Sequence, residues 1–127
     1  KGEGRAVLVT DGISATGMPD GEYMLGELAV VVADGRCLLA SDLKKGVETL
    51  AGSVLTMDRA VENVRRMTGV ELWNAVWMAS RNPARMLGMS ELGAVTVGQA
   101  ANLNVFTENG TLRETMIRGR VTGHGRD

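Results

Sequence analysis

The chain has 127 residues, about one small domain by length, with 44% hydrophobic residues, enough to build a core and too many for a disordered segment. Its 14 Lys and Arg balance 15 Asp and Glu for a net charge of −1, so there is no electrostatic case for nucleic acid or an anionic membrane as partner. One cysteine, Cys37, and one histidine, His124, exclude an internal disulfide framework and a self-contained Cys- or His-based metal site.

In chain order, Arg5-Ala6-Val7-Leu8-Val9-Thr10 is apolar and rich in β-branched residues, as in a strand buried on both faces of a parallel sheet, and it ends at the turn signal Asp11-Gly12. Residues 12–21 hold three glycines, Pro19 and Asp20, and read as a loop too long for a simple connection. Two strand-like runs, 22–27 and 28–33, precede Asp34-Gly35, a strong hairpin signal, with 36–40 as the return strand. Residues 41–49 are polar and expected at the surface. Thr56 is placed to cap a helix in which Met57, Ala60, Val61, Val64 and Met67 recur at helical spacing and Gly69 is the stop. A second helix from about Glu71 puts Leu72, Ala75, Val76 and Ala79 on one face and Trp73 with Trp77 on another. Asn82-Pro83 breaks it, and Pro83 opens a short helix closed by Gly88. Beyond Gly88, 94–97, 102–106 and 115–117 read as short strands, and the tail from Thr122 as frayed.

Asp11 is the sharpest candidate for chemistry, because active sites in parallel α/β sheets and barrels lie beyond the carboxyl ends of strands. A carboxylate there can bind a metal, take a proton or do both; equally, it can be a solvated turn residue that caps its own loop. Leu50-Ala51-Gly52-Ser53 is a small-residue stretch ahead of a helix. It either lets backbone N–H groups approach a ligand or is a plain lead-in to the helix. Cys37 reads as core, and His124 as a solvated residue of the tail.

Four segments in order resemble the C-terminal third of the N-acetylglucosamine-6-phosphate deacetylase family, within the amidohydrolase superfamily. They are Leu8 to Tyr23 with its Thr10-Asp11-Gly12, Leu50-Ala51-Gly52-Ser53 through Val61, Met78-Ala79-Ser80-Arg81-Asn82-Pro83-Ala84-Arg85, and Gly93 to Leu103. The first two are particular to the deacetylases and the last two are shared across the superfamily. The family often has Ala where this chain has Gly12, and its relatives commonly have Asp where Asn102 stands.

The resemblance implies an α/β fold: the C-terminal fragment of a metal-dependent (β/α)8 barrel plus strands of a small β-sandwich. On that reading 1–88 are barrel with a β-hairpin insertion, 89–121 are sandwich strands and 122–127 are a tail. Asp11 is then the aspartate at the end of the eighth barrel strand, acting as general base and then general acid on N-acetyl-D-glucosamine 6-phosphate, and Leu50, Ala51, Gly52 and Ser53 line the sugar. The divalent metal, zinc or iron, has its ligands on earlier strands, so the chain alone is expected to hold none and to be inactive. The other expected features are an amino-sugar phosphate as partner, a homo-oligomer, no nucleic acid, no membrane, and a cytoplasmic setting. Two alternatives stay open: an amidohydrolase of other specificity, and a non-catalytic truncated homologue acting as an assembly module.

Overall fold

A computed structural model describes residues 3–108 and 110–124, which divide into two compact units: Val7–Ala75, and the described residues before and after that span. The first unit is built on a hairpin sheet. Strands β1 (Gly21–Leu25), β2 (Leu28–Ala33) and β3 (Arg36–Leu39) pair antiparallel in sequence order. Asp34 and Gly35 connect β2 to β3 with φ of 51° and 72°, the two positive values that a tight turn matching strand twist requires. Gly26, at φ 59°, opens the two-residue turn from β1 to β2.

Alternation along these strands puts Tyr23, Leu25, Val30, Val32, Cys37 and Leu39 on one face. Val30 is 0% exposed, and together with Val32, Cys37 and Ala15 it forms the buried cluster. Cys37 is core, as its setting in an apolar strand implies, with its thiol 3.5 Å from the Ala51 carbonyl oxygen. After β3 comes a single turn, α1 (Ala40–Leu43), and a return segment whose backbone lies along β3: Leu39 N–H donates to Thr49 O and Ala51 N–H to Cys37 O. Residues 41–49 are mostly exposed, as their polarity implies.

Helix α2 (Met57–Thr68) starts after Thr56 and ends where Gly69, at φ 71°, donates its N–H to Arg65 O. Ala60 is buried, whereas Met67 at the far end of the expected stripe is exposed. Helix α3 (Leu72–Ala79) buries Asn74, Ala75 and Met78; Leu72 and Val76, placed on one face with Ala75, are half-exposed, as is Trp73. The helix is apolar nearly all round, so periodicity selects its inner face poorly.

In the second unit α4 (Arg81–Met86) begins after Ser80, two residues ahead of the expected break, because Pro83 falls in the first helical turn, where no N–H is needed. Arg81 sits over the Trp77 ring at 4.4 Å. Buried Asn82 donates through Nδ2 to Ala6 O at 2.7 Å. Strands β4 (Leu103–Phe106), β5 (Leu112–Ile117) and β6 (Arg120–His124) form an antiparallel meander, with Asn102 Oδ1 accepting the Arg118 N–H of the last turn.

Three expectations need correction. Residues 94–97 are not a strand: Val95 and Val97 are 86% and 103% exposed, and Gln99 folds the segment back by accepting from Ala94 N–H and donating to Ser90 O. Thr122–His124, expected to be frayed, belong to β6, where Gly123 and His124 pair with Thr115 and Glu114 and Thr122 sits at a register shift; 125–127 lie outside the described residues. The apolar run 6–10 is extended but joins no ladder among the described residues, and Val9 is 74% exposed. A strand exists only through partners, and no described segment pairs with this one in a ladder. Among the described residues the architecture is thus α/β with two small antiparallel sheets and no closed barrel.

Gly93 and Gly98 test the packing of the second unit. Both have positive φ, 87° and 92°, so alanine strains either backbone. At Gly93 a Cβ would also lie 2.8 Å from Arg81 Cα and 3.0 Å from Ala84 Cβ, whereas nothing lies within 4 Å at Gly98. Gly98→Ala is expected to cost about 1 kcal/mol, and Gly93→Ala about 1–3 kcal/mol more through overpacking. Urea unfolding of the two variants checks this, and equal losses would contradict the packing.

Candidate functional site

The two segments singled out in the sequence meet in the first unit. Gly12 and Ser53 form a parallel bridge, and the Ser53 carbonyl oxygen accepts the Ile13 N–H at 2.9 Å and the Thr16 hydroxyl at 3.2 Å. Apolar anchors hold both segments against the hairpin sheet: Ala15 is in the buried cluster, and Ile13, Ala51 and Val54 pack on it. Leu50 bridges to Leu38 of β3. The platform of β1–β3 therefore sets where both loops run.

Asp11 is the residue just before this junction. It is exposed, its φ is 49°, and its carboxylate accepts no hydrogen bond among the described residues. A left-handed backbone is uncommon for a non-glycine residue, though Asp tolerates it better than most, and it costs about 1–3 kcal/mol unless the surroundings impose it. Asp20, nine-tenths of the way along the same loop, is already occupied: its Oδ2 accepts the Asp34 N–H at 3.1 Å, beside the Tyr23 hydroxyl that donates to Pro19 O at 2.6 Å. The contrast separates a free carboxylate from one tied into the fold.

Of the expected sugar-lining residues, Leu50 and Gly52 are exposed, and Ala51 and Ser53 are partly covered. Gly52 has a φ of 109°, and a Cβ on it would lie 2.6 Å from Ile13 Cγ2, so no other residue lets the two loops close this far. Ser53 Oγ accepts the Leu55 N–H at 3.1 Å and turns the chain toward α2. The contributions of Ile13 and Thr16 were not singled out from sequence. The available signal was apolar Ile13 and Ala15 in an otherwise polar, glycine-rich loop.

A metal centre does not assemble here. Among the described residues no three His, Cys, Asp or Glu side chains come together in a way that could hold an ion, and Asp11 stands as a lone carboxylate. Among the described residues, therefore, the donor set does not fit a catalytic cation. What the arrangement can do by itself is hold a proton acceptor beside a small-residue loop. No helix among the described residues is long and apolar enough to cross a membrane.

Residues 6–122 match the Amidohydrolase family. The chain is 38% identical over 118 residues to an N-acetylglucosamine-6-phosphate deacetylase of Vibrio furnissii, covering 92% of this chain and 28% of that protein. It is equally 38% identical over 118 residues to an N-acetylgalactosamine-6-phosphate deacetylase of Escherichia coli O157:H7, covering 92% of this chain and 30% of the relative. The crystal structure of N-acetylglucosamine-6-phosphate deacetylase from Thermotoga maritima superposes with a TM-score of 0.79 at 35% identity, over 98% of this chain and 32% of that one. The chain thus spans roughly three-tenths of the length of these relatives.

Downstream of the junction, Thr56 occupies the position expected to cap α2, but its hydroxyl does not cap the backbone. The hydroxyl instead holds the Asp58 carboxyl below the usual carboxylate range, against the opposing effect of partial burial. A lowered folded value means that the stabilisation is present above the unfolded value of about 3.9 and is lost as pH falls through the folded one. Thr56→Val is expected to move the Asp58 titration upward toward its ordinary value. Carboxyl-detected NMR titration reads this directly, and an unmoved titration would contradict the hydroxyl's role.

Proposed function

The chain belongs to the amidohydrolase family, and from that premise we propose that it is the C-terminal portion of an N-acetylhexosamine-6-phosphate deacetylase. Such an enzyme converts N-acetyl-D-glucosamine 6-phosphate and water to D-glucosamine 6-phosphate and acetate. The observation that carries the reading is the placement of Asp11: a free, exposed carboxylate at the end of an extended apolar run, beside the 50–53 loop, in a chain that resembles deacetylases over nearly its whole length. The equal similarity to relatives named for the gluco and galacto sugars supports the substrate class rather than one epimer.

Asp11 then performs two proton transfers. Its carboxylate accepts a proton as water attacks the amide carbonyl carbon and the C–N bond begins to weaken. It returns that proton to the nitrogen as the amine departs, since an amide anion is too poor a leaving group to go unprotonated. Leu50, Ala51, Gly52 and Ser53 form the wall that faces the N-acetyl sugar, with Gly52 leaving room for close approach. The family likeness supports a divalent metal, and its ligands belong to the part of the relatives that this chain does not span. On this reading the run 6–10 is the last barrel strand, the segment alone is inactive, and the complete enzyme is a cytoplasmic homo-oligomer.

Two experiments test the reading. In the full-length enzyme, Asp11→Asn is expected to lower turnover by about 10²–10⁴-fold while leaving substrate binding largely intact. Asp20→Asn, which keeps an acceptor oxygen for the Asp34 N–H, is expected to cost far less. Assay of both N-acetylhexosamine 6-phosphates with the two variants decides it, because equal turnover would remove Asp11 from the chemistry. Metal analysis of the 127-residue chain after dialysis is expected to give well below one equivalent of zinc or iron. A stoichiometric ion bound through Asp11 within one chain would show that the ligands are not elsewhere.

A further inference from the structure

The Asp11 carboxylate has no hydrogen bond of its own among the described residues, and its backbone is left-handed. Its direction therefore rests on what fixes the residues that follow it. Ala15 and Ile13 pack against the hairpin sheet, and the segment is tied across to the 50–53 loop at one atom, the Ser53 carbonyl oxygen, whose two lone pairs take the Ile13 N–H and the Thr16 hydroxyl. The Thr16 N–H in turn donates to Ile13 O at 3.0 Å, which closes the loop on itself.

Gly12 is fitted to this arrangement by space and not by conformation. Its φ is outside the left-handed range, so any residue could adopt it, but a Cβ there would lie 2.7 Å from Thr16 Oγ1. Occupying that space drives the hydroxyl away from Ser53. Gly12 and Thr16 thus form one device: the missing side chain at one position lets the hydroxyl of the other reach across to the 50–53 loop.

We propose that Thr16 is a positioning residue whose hydroxyl, hydrogen-bonded to the Ser53 carbonyl across the space left by Gly12, holds the Asp11 carboxylate in register with the 50–53 loop. The proposal rests on the deacetylase reading of Asp11 given above. It concerns orientation, so its effect belongs in kcat rather than in substrate affinity.

The test uses the full-length enzyme and N-acetyl-D-glucosamine 6-phosphate. Thr16→Val keeps the shape and removes the donor; kcat is expected to fall by about five- to tenfold, in line with one neutral hydrogen bond, with KM changed by less than about twofold. Thr16→Ser restores the hydroxyl and is expected to restore kcat. Gly12→Ala reaches the same end from the other side and keeps the question answerable if Thr16→Val does not fold. It is expected to lower kcat alone, but to cost nothing further when added to Thr16→Ala, where the hydroxyl is already gone. Hydrogen exchange at the Ile13 amide, expected to quicken in Thr16→Val and Gly12→Ala, reads the junction independently of activity. Unchanged kcat in Thr16→Val or in Gly12→Ala, or a Thr16→Ser as slow as Thr16→Val, overturns the role of the hydroxyl; if Asp11→Asn is inactive in the same assays, the reading of Asp11 survives. Full turnover in Asp11→Asn overturns both.

Discussion

The site depends on one acceptor atom, the Ser53 carbonyl oxygen. From it a series of backbone contacts runs to the core. The 49–51 segment lies along β3 through the Leu39–Thr49 and Ala51–Cys37 bonds, and Ser53 then turns its carbonyl to Ile13 and Thr16. The hairpin sheet is therefore the rigid element to which Asp11 is referred, through two loops instead of a strand of its own. Loops placed in this way by a packed platform carry binding and catalysis without sacrificing the core that supports them. Burial of Ile13, Ala15, Ala51 and Val54 against Val30 and Val32 means that the same apolar contacts that stabilise the unit also set the junction.

At that junction local rules are broken twice, and at adjacent loops. Asp11 takes a left-handed backbone that most residues avoid, and Gly52 takes one that only glycine adopts easily while leaving no space for a Cβ. Elsewhere in the first unit the positive φ values fall at glycines or at the Asp34-Gly35 turn, where hairpin geometry demands them. Departures from local preference that persist at one place need an external reason, and a carboxylate held free of partners beside a small-residue loop supplies a chemical one.

The parts of the fold legible in the sequence are those set by short-range physics. Asp34-Gly35 specifies its turn from two residues, Gly69 ends α2 because it alone takes the left-handed position cheaply, and alternation places Val30, Val32 and Cys37 on one face. The meeting of the loop after Asp11 with Ser53 was not legible from spacing, since the Thr16–Ser53 bond that ties the loops joins residues 37 apart. The two segments were linked only by their common resemblance to deacetylases. Residues 94–97 misled because two valines at period two look like a strand, while the deciding influence is a glutamine side chain that pulls the segment into a turn. In α3 an almost uniformly apolar surface gave periodicity nothing to select.

The apolar run 6–10 brings these points together. Its β-branched residues suit a strand with neighbours on both sides, yet among the described residues it has no ladder and Val9 stands open to solvent. Leu50, Leu72 and Trp73 are likewise more than half exposed. Single exposed apolar residues need no explanation, but a strand-like run without partners leaves backbone donors and acceptors as well as side chains unmatched. Under the proposed reading both deficits have one origin. The chain spans roughly three-tenths of the relatives compared above, and on that reading the ladder that would flank residues 6–10 belongs to the part of them that it does not span. Completing that ladder would straighten and hold the run that ends at Asp11 from upstream, while the Ser53 carbonyl holds it from downstream. A carboxylate fixed from both directions needs no hydrogen bond of its own, and on the proposed reading this leaves its lone pairs free for the proton it is to carry.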